Sequence, residues 1–372
     1  MILRRLIFYG LVFAVLYAFG LASKAKDIQP YPLVAGLAER YLGVNLRKGS
    51  TPAVDLYAMS DVEMATHASE IIRLRTSGDV AALRDKIIEA IWGPAGPPRS
   101  EPSAVRSVES LDWRDVVTLK ESQRIVIPQS NGLDAAIDVL RPVTPTNRIA
   151  IWLSDDEVPA PHAVLGNLLA KGTTIALVSL PTHEGTPRPD IWTEHGTVSF
   201  TTPEKLNFLR SREAVAPYFF SPIALAVDLL AKDSVACIDL VGLASTAMVA
   251  VIYAAVDPRI CATIALIAPS PPFVDRVSPQ ESPDTADIYL HANQLELATM
   301  AALGHGRSLT EVVLAHDVNS GVVARMALYG PDVDHAVRAL GEGNFTGVED
   351  TSTNYHEFSR TMEDIVLKTL GR

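Results

Sequence analysis

From about Leu111 to the end of the chain, short apolar runs alternate with stretches of helical periodicity. The runs that predict strands are Arg124–Ile127, Ala135–Leu140, Ile149–Leu153, Thr174–Leu180, Ala236–Val241, Ala262–Ile267 and Glu311–Ala315. The intervening and following stretches predict helices at Pro161–Ala170, Ser221–Ala231, Ala244–Ala255 and His356–Leu370. Apolar strands separated by helices indicate an α/β fold, in which a mostly parallel sheet is covered by helices on both faces.

Residues 27–110 follow a different pattern, and we interpret them as a helical extension that precedes a domain spanning residues 111–372. Apolar positions recur at helical spacing in Asp61–Arg75 and again in Asp79–Trp92. The second helix is predicted to end at Gly93-Pro94-Ala95-Gly96-Pro97-Pro98, because glycine and proline interrupt a helix.

The amino-terminal segment, residues 1–26, has the pattern of a targeting sequence and is set apart from the fold. An arginine pair precedes an apolar run at residues 6–22, and two lysines follow it. This run of about 17 residues is as long as a short membrane-spanning helix, so it predicts a signal anchor. With the arginine pair on the cytoplasmic side, a single-pass inner-membrane protein would have its globular part in the periplasm. The alternative is secretion after signal cleavage, since Gly20 and Ala22 have cleavage-like spacing.

The composition and charge of the chain argue against a nucleic-acid partner and against a metal site. The chain of 372 residues is 48% hydrophobic and 20% charged, and its formal net charge of −11 comes without any Lys/Arg-rich block. A nucleic acid is therefore not an expected partner. The two cysteines, Cys237 and Cys261, lack metal-knuckle spacing and are interpreted as buried apolar residues, although a periplasmic location would permit a disulfide. No metal and no cofactor is predicted.

The most specific motif lies between Ala236 and Ile267. A predicted strand ends at Val241, Gly242 follows as a sharp turn, and a helix from Thr246 leads to Asp257-Pro258-Arg259-Ile260 and the next strand. This order resembles the nucleophile-elbow segment of bacterial α/β-hydrolases, in the branch that contains esterases and acetyl xylan esterases. The resemblance implies the α/β-hydrolase fold for residues 111–372 and a catalytic residue between strand and helix.

In that family the elbow reads Val-Gly-x-Ser-x-Gly-Gly. A gap-free alignment from Gly242 to Asp257 puts Ala244 at the position of the serine, so the resemblance implies a degenerate nucleophile. Ser245 is the alternative nucleophile, but two residues before it stands the branched Leu243, which fits the tight contact of an elbow badly. A simpler role for Ser245 is a hydroxyl at the first turn of the helix that satisfies a backbone donor.

Other segments resemble the remaining active-site loops of the family. Ser154-Asp155-Asp156 follows a strand where the family has its His-Gly oxyanion turn, and the two carboxylates would repel an oxyanion. The resemblance implies that Asp317 holds the acid position, with Asp350 as the competitor, and that His356 holds the histidine position. Asp317 and His356 also have a structural interpretation, since each could cap the start of a helix.

These residues support two hypotheses. The first is a pseudoenzyme, an exported and membrane-anchored α/β-hydrolase-fold protein whose cleft binds a small-molecule ester or a protein partner. The second is an active carboxylic-ester hydrolase that uses Ser245 with His356 and Asp317. A dinucleotide-binding turn is excluded, because Gly242-Leu243-Ala244-Ser245-Thr246-Ala247 lacks the Gly-x-Gly-x-x-Gly pattern.

Overall fold

The computed structural model describes residues 66–98, 107–109, 118–153, 158–183, 186–194, 196–210, 213–231, 237–268, 287–315, 322–353 and 357–371. Its strands are β1 (Ser107–Glu109), β2 (Leu119–Ile127), β3 (Ala135–Pro142), β4 (Arg148–Leu153), β5 (Thr174–Ser179), β6 (Asp190–Thr193), β7 (Gly196–Ser199), β8 (Cys237–Leu243), β9 (Ile260–Leu266), β10 (Ser308–Leu314) and β11 (Asn344–Asp350). Its helices are α1 (Ala68–Ile71), α2 (Ser77–Trp92), α3 (His162–Ala170), α4 (Ala216–Ala231), α5 (Ala247–Val256), α6 (Gln294–Ala302), α7 (Val322–Leu340) and α8 (Arg360–Leu370).

One large mixed sheet organises the chain. Its nine strands have the order β1-β2-β3-β5-β4-β8-β9-β10-β11, and a separate hairpin pairs β6 with β7. The strands from β5 across to β11 run parallel to one another, whereas β1, β2 and β3 pair antiparallel. The predicted α/β class with a mostly parallel sheet is thereby confirmed.

Strand β4 shows how the sheet obtains two buried faces. Ile149, Ile151 and Leu153 point into one apolar cluster, while Ala150 and Trp152 point into the other, because successive side chains of a strand face opposite ways. The first cluster is completed by α2, α4, α5, α6 and α7, and the second by α3 and α8. Each large aliphatic side chain buried in this way contributes roughly 1.5–3 kcal/mol.

Several elements were not anticipated from the periodicity, and their burial explains why. All residues of α6 are buried, so this helix has no polar face and no amphipathic period. Strand β11 lies at the sheet edge and exposes most of its residues, so it has no apolar run. Within Asp61–Arg75 the described helix is limited to α1, and the residues after Ile71 are extended at its carboxyl-terminal cap. Strand β1, the β6–β7 hairpin and α7 were also not predicted.

The helices of the amino-terminal extension contact the main body through specific polar bonds. Helix α2 begins at a capping box in which Thr76 and Asp79 exchange side-chain to backbone hydrogen bonds. Before it, the Arg73 guanidinium binds both carboxylate oxygens of Glu296, through Nε at 2.8 Å and Nη2 at 2.7 Å. Glu296 is 1% exposed. Its burial makes this bidentate pair a docking point for the extension on α6.

The two cysteines correct an expectation. Cys237 in β8 and Cys261 in β9 are joined by a disulfide, with their Cα atoms 5.8 Å apart. They were interpreted as separate buried apolar residues, and that interpretation was wrong. Because β8 and β9 are parallel neighbours in the sheet, Cys237 and Cys261 lie side by side although they are distant in sequence.

The predicted signal anchor, residues 1–26 with its apolar run at 6–22, lies outside the described residues. In the ranges that the structure does describe, no helix combines the length and apolar character needed to cross a bilayer. The extension and domain boundaries at 27–110 and 111–372 remain predictions.

Candidate functional site

The turn after β8 has the backbone of a sharp strand-to-helix elbow. A single 3-10 turn, Ala244–Thr246, joins the end of β8 directly to α5. Its first residue, Ala244, has φ of +48°, in the left-handed region. An alanine pays about 1–2 kcal/mol in this conformation, so the surrounding packing must hold it there. The strained residue is the one that the alignment with hydrolases assigned to the nucleophile position.

Gly242 is the residue that lets β8 and α5 approach each other. A Cβ atom built on it would lie 2.5 Å from the Thr246 carbonyl oxygen and 2.7 Å from the Cβ of Ala250. It would also lie 2.8 Å from the Cα of Ala247. No side chain fits at these distances, which is the steric reason for a glycine two residues before the apex of an elbow.

Thr246 stands where the hydrolase pattern has a second glycine, and it takes over part of the turn's hydrogen bonding. The backbone N–H of Leu243 donates to Thr246 Oγ1 at 2.9 Å. The same hydroxyl lies 3.0 Å from the carbonyl oxygen of Leu243 and 3.3 Å from that of Leu153 at the end of β4. Thr246 is 1% exposed. This buried hydroxyl therefore connects the elbow to the strand that precedes the predicted oxyanion turn.

Ser245 is exposed and follows the strained residue. Of these two neighbouring residues, Ala244 has a left-handed backbone and Ser245 does not. The side chain that an elbow presents at its apex belongs to the left-handed residue. Here that side chain is a methyl group, which has no atom capable of nucleophilic attack.

Two further strained residues lie at the same edge of the sheet. Thr182, in the loop after β5, has φ of +71°, and Ile267, directly after β9, has φ of +52°. Both are β-branched, and such residues are rare outliers in this region. Strain of this kind collects at functional sites, where the surrounding structure maintains it. Neither residue was singled out from the sequence, because apolar periodicity carries no information about φ.

Of the other predicted site residues, the structure describes Asp350. Ser154, Asp155, Asp317 and His356 lie outside the described residues, so their roles remain predictions. The strands that precede them end at the same edge as β8, because β4, β8, β10 and β11 are parallel. Loops after parallel strands meet at one edge, which is where α/β proteins bind ligands.

Asp350, the competitor for the acid position, is fully buried at the end of β11. One carboxylate oxygen accepts from the backbone N–H and hydroxyl of Ser352, at 2.8 Å and 2.6 Å, and the other accepts from the hydroxyl of Ser359. Burial opposes its ionisation, but these hydrogen bonds prevail and hold the pKa of Asp350 below its usual value. Ser359 is also the N-cap of α8, so Asp350 anchors the start of that helix.

Within the described residues, one group has metal-ligand chemistry: Cys237, Asp239 and Cys261, whose ligand atoms lie within 4.8 Å of one another. Two of these residues are joined in the disulfide, and Nη2 of Arg148 lies 2.7 Å from Asp239 Oδ2. A disulfide has no thiolate to offer, and a guanidinium on the carboxylate opposes a second cation. The group therefore does not fit a metal ion in this state.

Strand order, antiparallel beginning and elbow together define the α/β-hydrolase fold. The chain therefore has the α/β-hydrolase fold. It is similar to acetyl xylan esterase from Paenibacillus sp. R4, with a TM-score of 0.51 and 10% sequence identity, over 82% of this chain and 97% of that chain. It is also similar to methylesterase BT1017, with a TM-score of 0.51 and 15% identity, over 78% of this chain and 62% of that chain. No protein-family model and no curated protein matches its sequence.

Proposed function

We propose that this protein is an exported, membrane-anchored α/β-hydrolase-fold protein that has lost its nucleophile and acts by binding. The observation that carries the proposal is the left-handed backbone of Ala244 at the apex of the β8–α5 turn. The elbow geometry supports a nucleophile position, and the methyl group there cannot form an acyl intermediate. Strain without a reacting group argues for a retained cleft rather than retained chemistry.

The sequence of the predicted oxyanion turn supports the same conclusion. In the alignment with hydrolases, Asp155 and Asp156 stand where a hydrolase needs hydrogen-bond donors. The proposed ligand is an ester or a related carbonyl compound, because the solved proteins of similar fold are described as esterases. A protein partner that inserts a side chain into the same cleft is the alternative occupant.

Export is supported by the disulfide as well as by the predicted anchor. Disulfides persist in the periplasm and outside the cell, whereas cytosolic thiols are kept reduced. The Cys237–Cys261 bond and the apolar run at residues 6–22 are independent features, one in the folded domain and one in the predicted targeting segment. Both favour a globular part outside the cytoplasm.

A second candidate is an active carboxylic-ester hydrolase with Ser245 as nucleophile and Asp317 and His356 as its partners. The exposed position of Ser245 favours it, since a nucleophile must be accessible. Against it stands the position of Ser245 one residue beyond the strained apex.

The deciding experiment uses the full-length protein in detergent, treated with a fluorophosphonate probe and mapped by mass spectrometry. We expect no labelling of the wild type and labelling at position 244 in Ala244→Ser. Loss of a triad nucleophile costs roughly 10⁶ in turnover and loss of one oxyanion donor roughly 10²–10³, so the restored serine should be measurable even beside a poor oxyanion turn.

The matched controls are His356→Ala and the pair Ala244→Ser with His356→Ala, assayed with p-nitrophenyl acetate. Wild type should hydrolyse it no faster than His356→Ala, Ala244→Ser should exceed both, and the pair should return to background. Probe labelling of the wild type at Ser245, abolished in Ser245→Ala, would establish the second candidate instead. A folded but inert Ala244→Ser would contradict the roles assigned to Asp317 and His356.

A further inference from the structure

The disulfide joins the amino ends of two neighbouring strands, at the edge of the sheet opposite to the elbow. Cys237 begins β8, the strand that ends at the elbow, and Cys261 lies near the start of the neighbouring β9. Any change in how these two strands are held at their amino ends acts on β8, the strand that leads to Ala244.

The hydrogen-bond ladder between the two strands is interrupted where the disulfide is found. Ile238 pairs with Ile260, but Leu240 pairs with Thr263, so β9 contains one more residue than β8 over this stretch. Such a bulge leaves backbone groups without ladder partners. The side chain of Asp239 supplies one replacement, since its Oδ1 accepts from the N–H of Ala262 at 3.1 Å.

Asp239 is completely buried, and Arg148 on β4 balances its charge at 2.7 Å. The irregular section is thus held by the Cys237–Cys261 bond and the Asp239 carboxylate. Regular ladder bonds resume beyond it, from Leu240 to Leu243.

Both cysteines of the disulfide are half-buried, so the bond is partly open to solvent. Cys261 Sγ lies 4.0 Å from the Arg259 carbonyl oxygen, and Cys237 Sγ lies 3.5 Å from Asp239 Oδ1. An external thiolate can therefore attack the bond in the folded protein.

We infer that Cys237–Cys261 is a site of thiol–disulfide exchange that controls the stability of β8, the strand that leads to the elbow, and of its neighbour β9. Its reaction partner is a dithiol. One thiolate of the dithiol attacks the Sγ of one cysteine, the Cys237–Cys261 bond breaks, and the other cysteine leaves as a thiolate that takes a proton from water. The second thiol of the reductant, as a thiolate, then attacks the reductant's own sulfur in the mixed disulfide, which releases the first cysteine and leaves the reductant oxidised by two electrons.

The test treats the folded full-length protein in detergent with dithiothreitol in the absence of denaturant. We expect two alkylatable thiols to appear under these native conditions and none before treatment. Loss of the cross-link should lower Tm by roughly 5–10 °C, from the entropy of the closed loop. Amide exchange should accelerate in peptides from β8 and β9, while peptides from β2 and β3 keep their protection.

The matched variant is Cys237→Ser with Cys261→Ser, which removes the bond and keeps the side-chain size. It should have the Tm of the reduced wild type and should not respond to dithiothreitol. Reduction of the wild type only after unfolding would overturn the exchange site. If reduction of the folded wild type left both Tm and amide exchange unchanged, the disulfide would not control the stability of the strands. This measurement uses the wild type alone, so it does not depend on whether the variant folds.

Discussion

The two edges of the parallel sheet differ in backbone strain, although both contain buried charges bonded within the protein, such as Asp350 at the carboxyl edge. At the amino edge, the charged side chains of Arg259 and Arg307 form hydrogen bonds with other groups of the protein. At the carboxyl edge, described loops contain four left-handed residues other than glycine: Asn131, Thr182, Ala244 and Ile267. Polar groups that are satisfied internally stabilise the fold, whereas maintained backbone strain is found more often at functional sites. The contrast separates a structural edge from a candidate functional one.

Arg307 shows how far this goes at the amino edge. It is 7% exposed, and its guanidinium donates to the carbonyl oxygens of Ile260 at 2.9 Å and Leu303 at 2.9 Å, and also to that of Ala254. These carbonyls belong to the ends of α5 and α6 and the start of β9. Burial lowers the pKa of Arg307 to about 10, so it stays charged at neutral pH.

Arg259 acts similarly just before β9. It binds Asp257 through Nε at 2.9 Å and Nη2 at 2.7 Å, and Asp228 through Nη1 at 2.6 Å. The pKa of Asp257 is lowered, because the bonds from Arg259 outweigh the effect of burial. The guanidinium of Arg259 is thus bound by two carboxylates of the protein itself.

The largest effect that we expect comes from removing the buried cation at the amino edge. Arg307→Met leaves the carbonyl oxygens of two helix ends without donors, and each buried unsatisfied group costs about 1–3 kcal/mol. The free energy of unfolding, measured with urea, should fall by about 4 kcal/mol or more.

The control is Arg338→Met on α7, where the side chain is 71% exposed and pairs with Asp334. An exposed pair of this kind contributes about 0–1 kcal/mol, so that variant should change little. If both variants lost the same free energy of unfolding, the buried bonds of Arg307 would be no more important than an exposed ion pair.

The second prediction concerns pH and a residue between the edges. Glu311, in the middle of β10, is buried, and burial raises its pKa from 4.5 to about 7 although Tyr329 donates a hydrogen bond to it at 2.8 Å. The folded state therefore retains a proton that the unfolded state loses. Stability contributed by this proton is complete below pH 4.5 and is lost as the pH rises through about 7.

Glu311→Gln should remove this dependence. Relative to the wild type, the variant should gain on the order of 3 kcal/mol in free energy of unfolding between about pH 4.5 and pH 8. Urea unfolding at several pH values measures the slope, with the exposed Glu349→Gln on β11 as control. If Glu311→Gln kept the pH dependence of the wild-type free energy of unfolding, that dependence would have to come from a titrating group at one of the two edges.

The third prediction tests the close approach at the elbow. Gly242→Ala forces a methyl group to within 2.5 Å of the Thr246 carbonyl oxygen, so α5 must move. We expect a loss of about 2–3 kcal/mol in stability. Gly166→Ala in α3 is the matched control, since nothing lies within 4 Å of its added Cβ. That change should be neutral or stabilising by up to about 1 kcal/mol.

The smallest effect has an unusual sign. Ala244→Gly relieves the left-handed strain and should stabilise the protein by about 1 kcal/mol. Ala82→Gly, at an exposed position in α2, should destabilise it by about the same amount, as in any helix interior. Opposite signs in thermal unfolding would support strain at the carboxyl edge, and a loss in both variants would contradict it.

The sequence by itself determined the architecture and the location of the elbow. Apolar runs in β4, β5, β8 and β9 are long enough to be recognised, because strands buried on both faces contain few polar residues. Gly242 between such a run and a helix also indicated the turn, since local sterics require glycine there.

Only the tertiary structure decided the remainder. The left-handed φ of Ala244 is imposed by packing between β8 and α5, and an isolated alanine would avoid it. The partner of Cys237, the bonds of Arg307 and the burial of Glu311 all join residues far apart in sequence. Apolar periodicity reports how each segment faces the core, whereas these contacts depend on which segments become neighbours in the sheet.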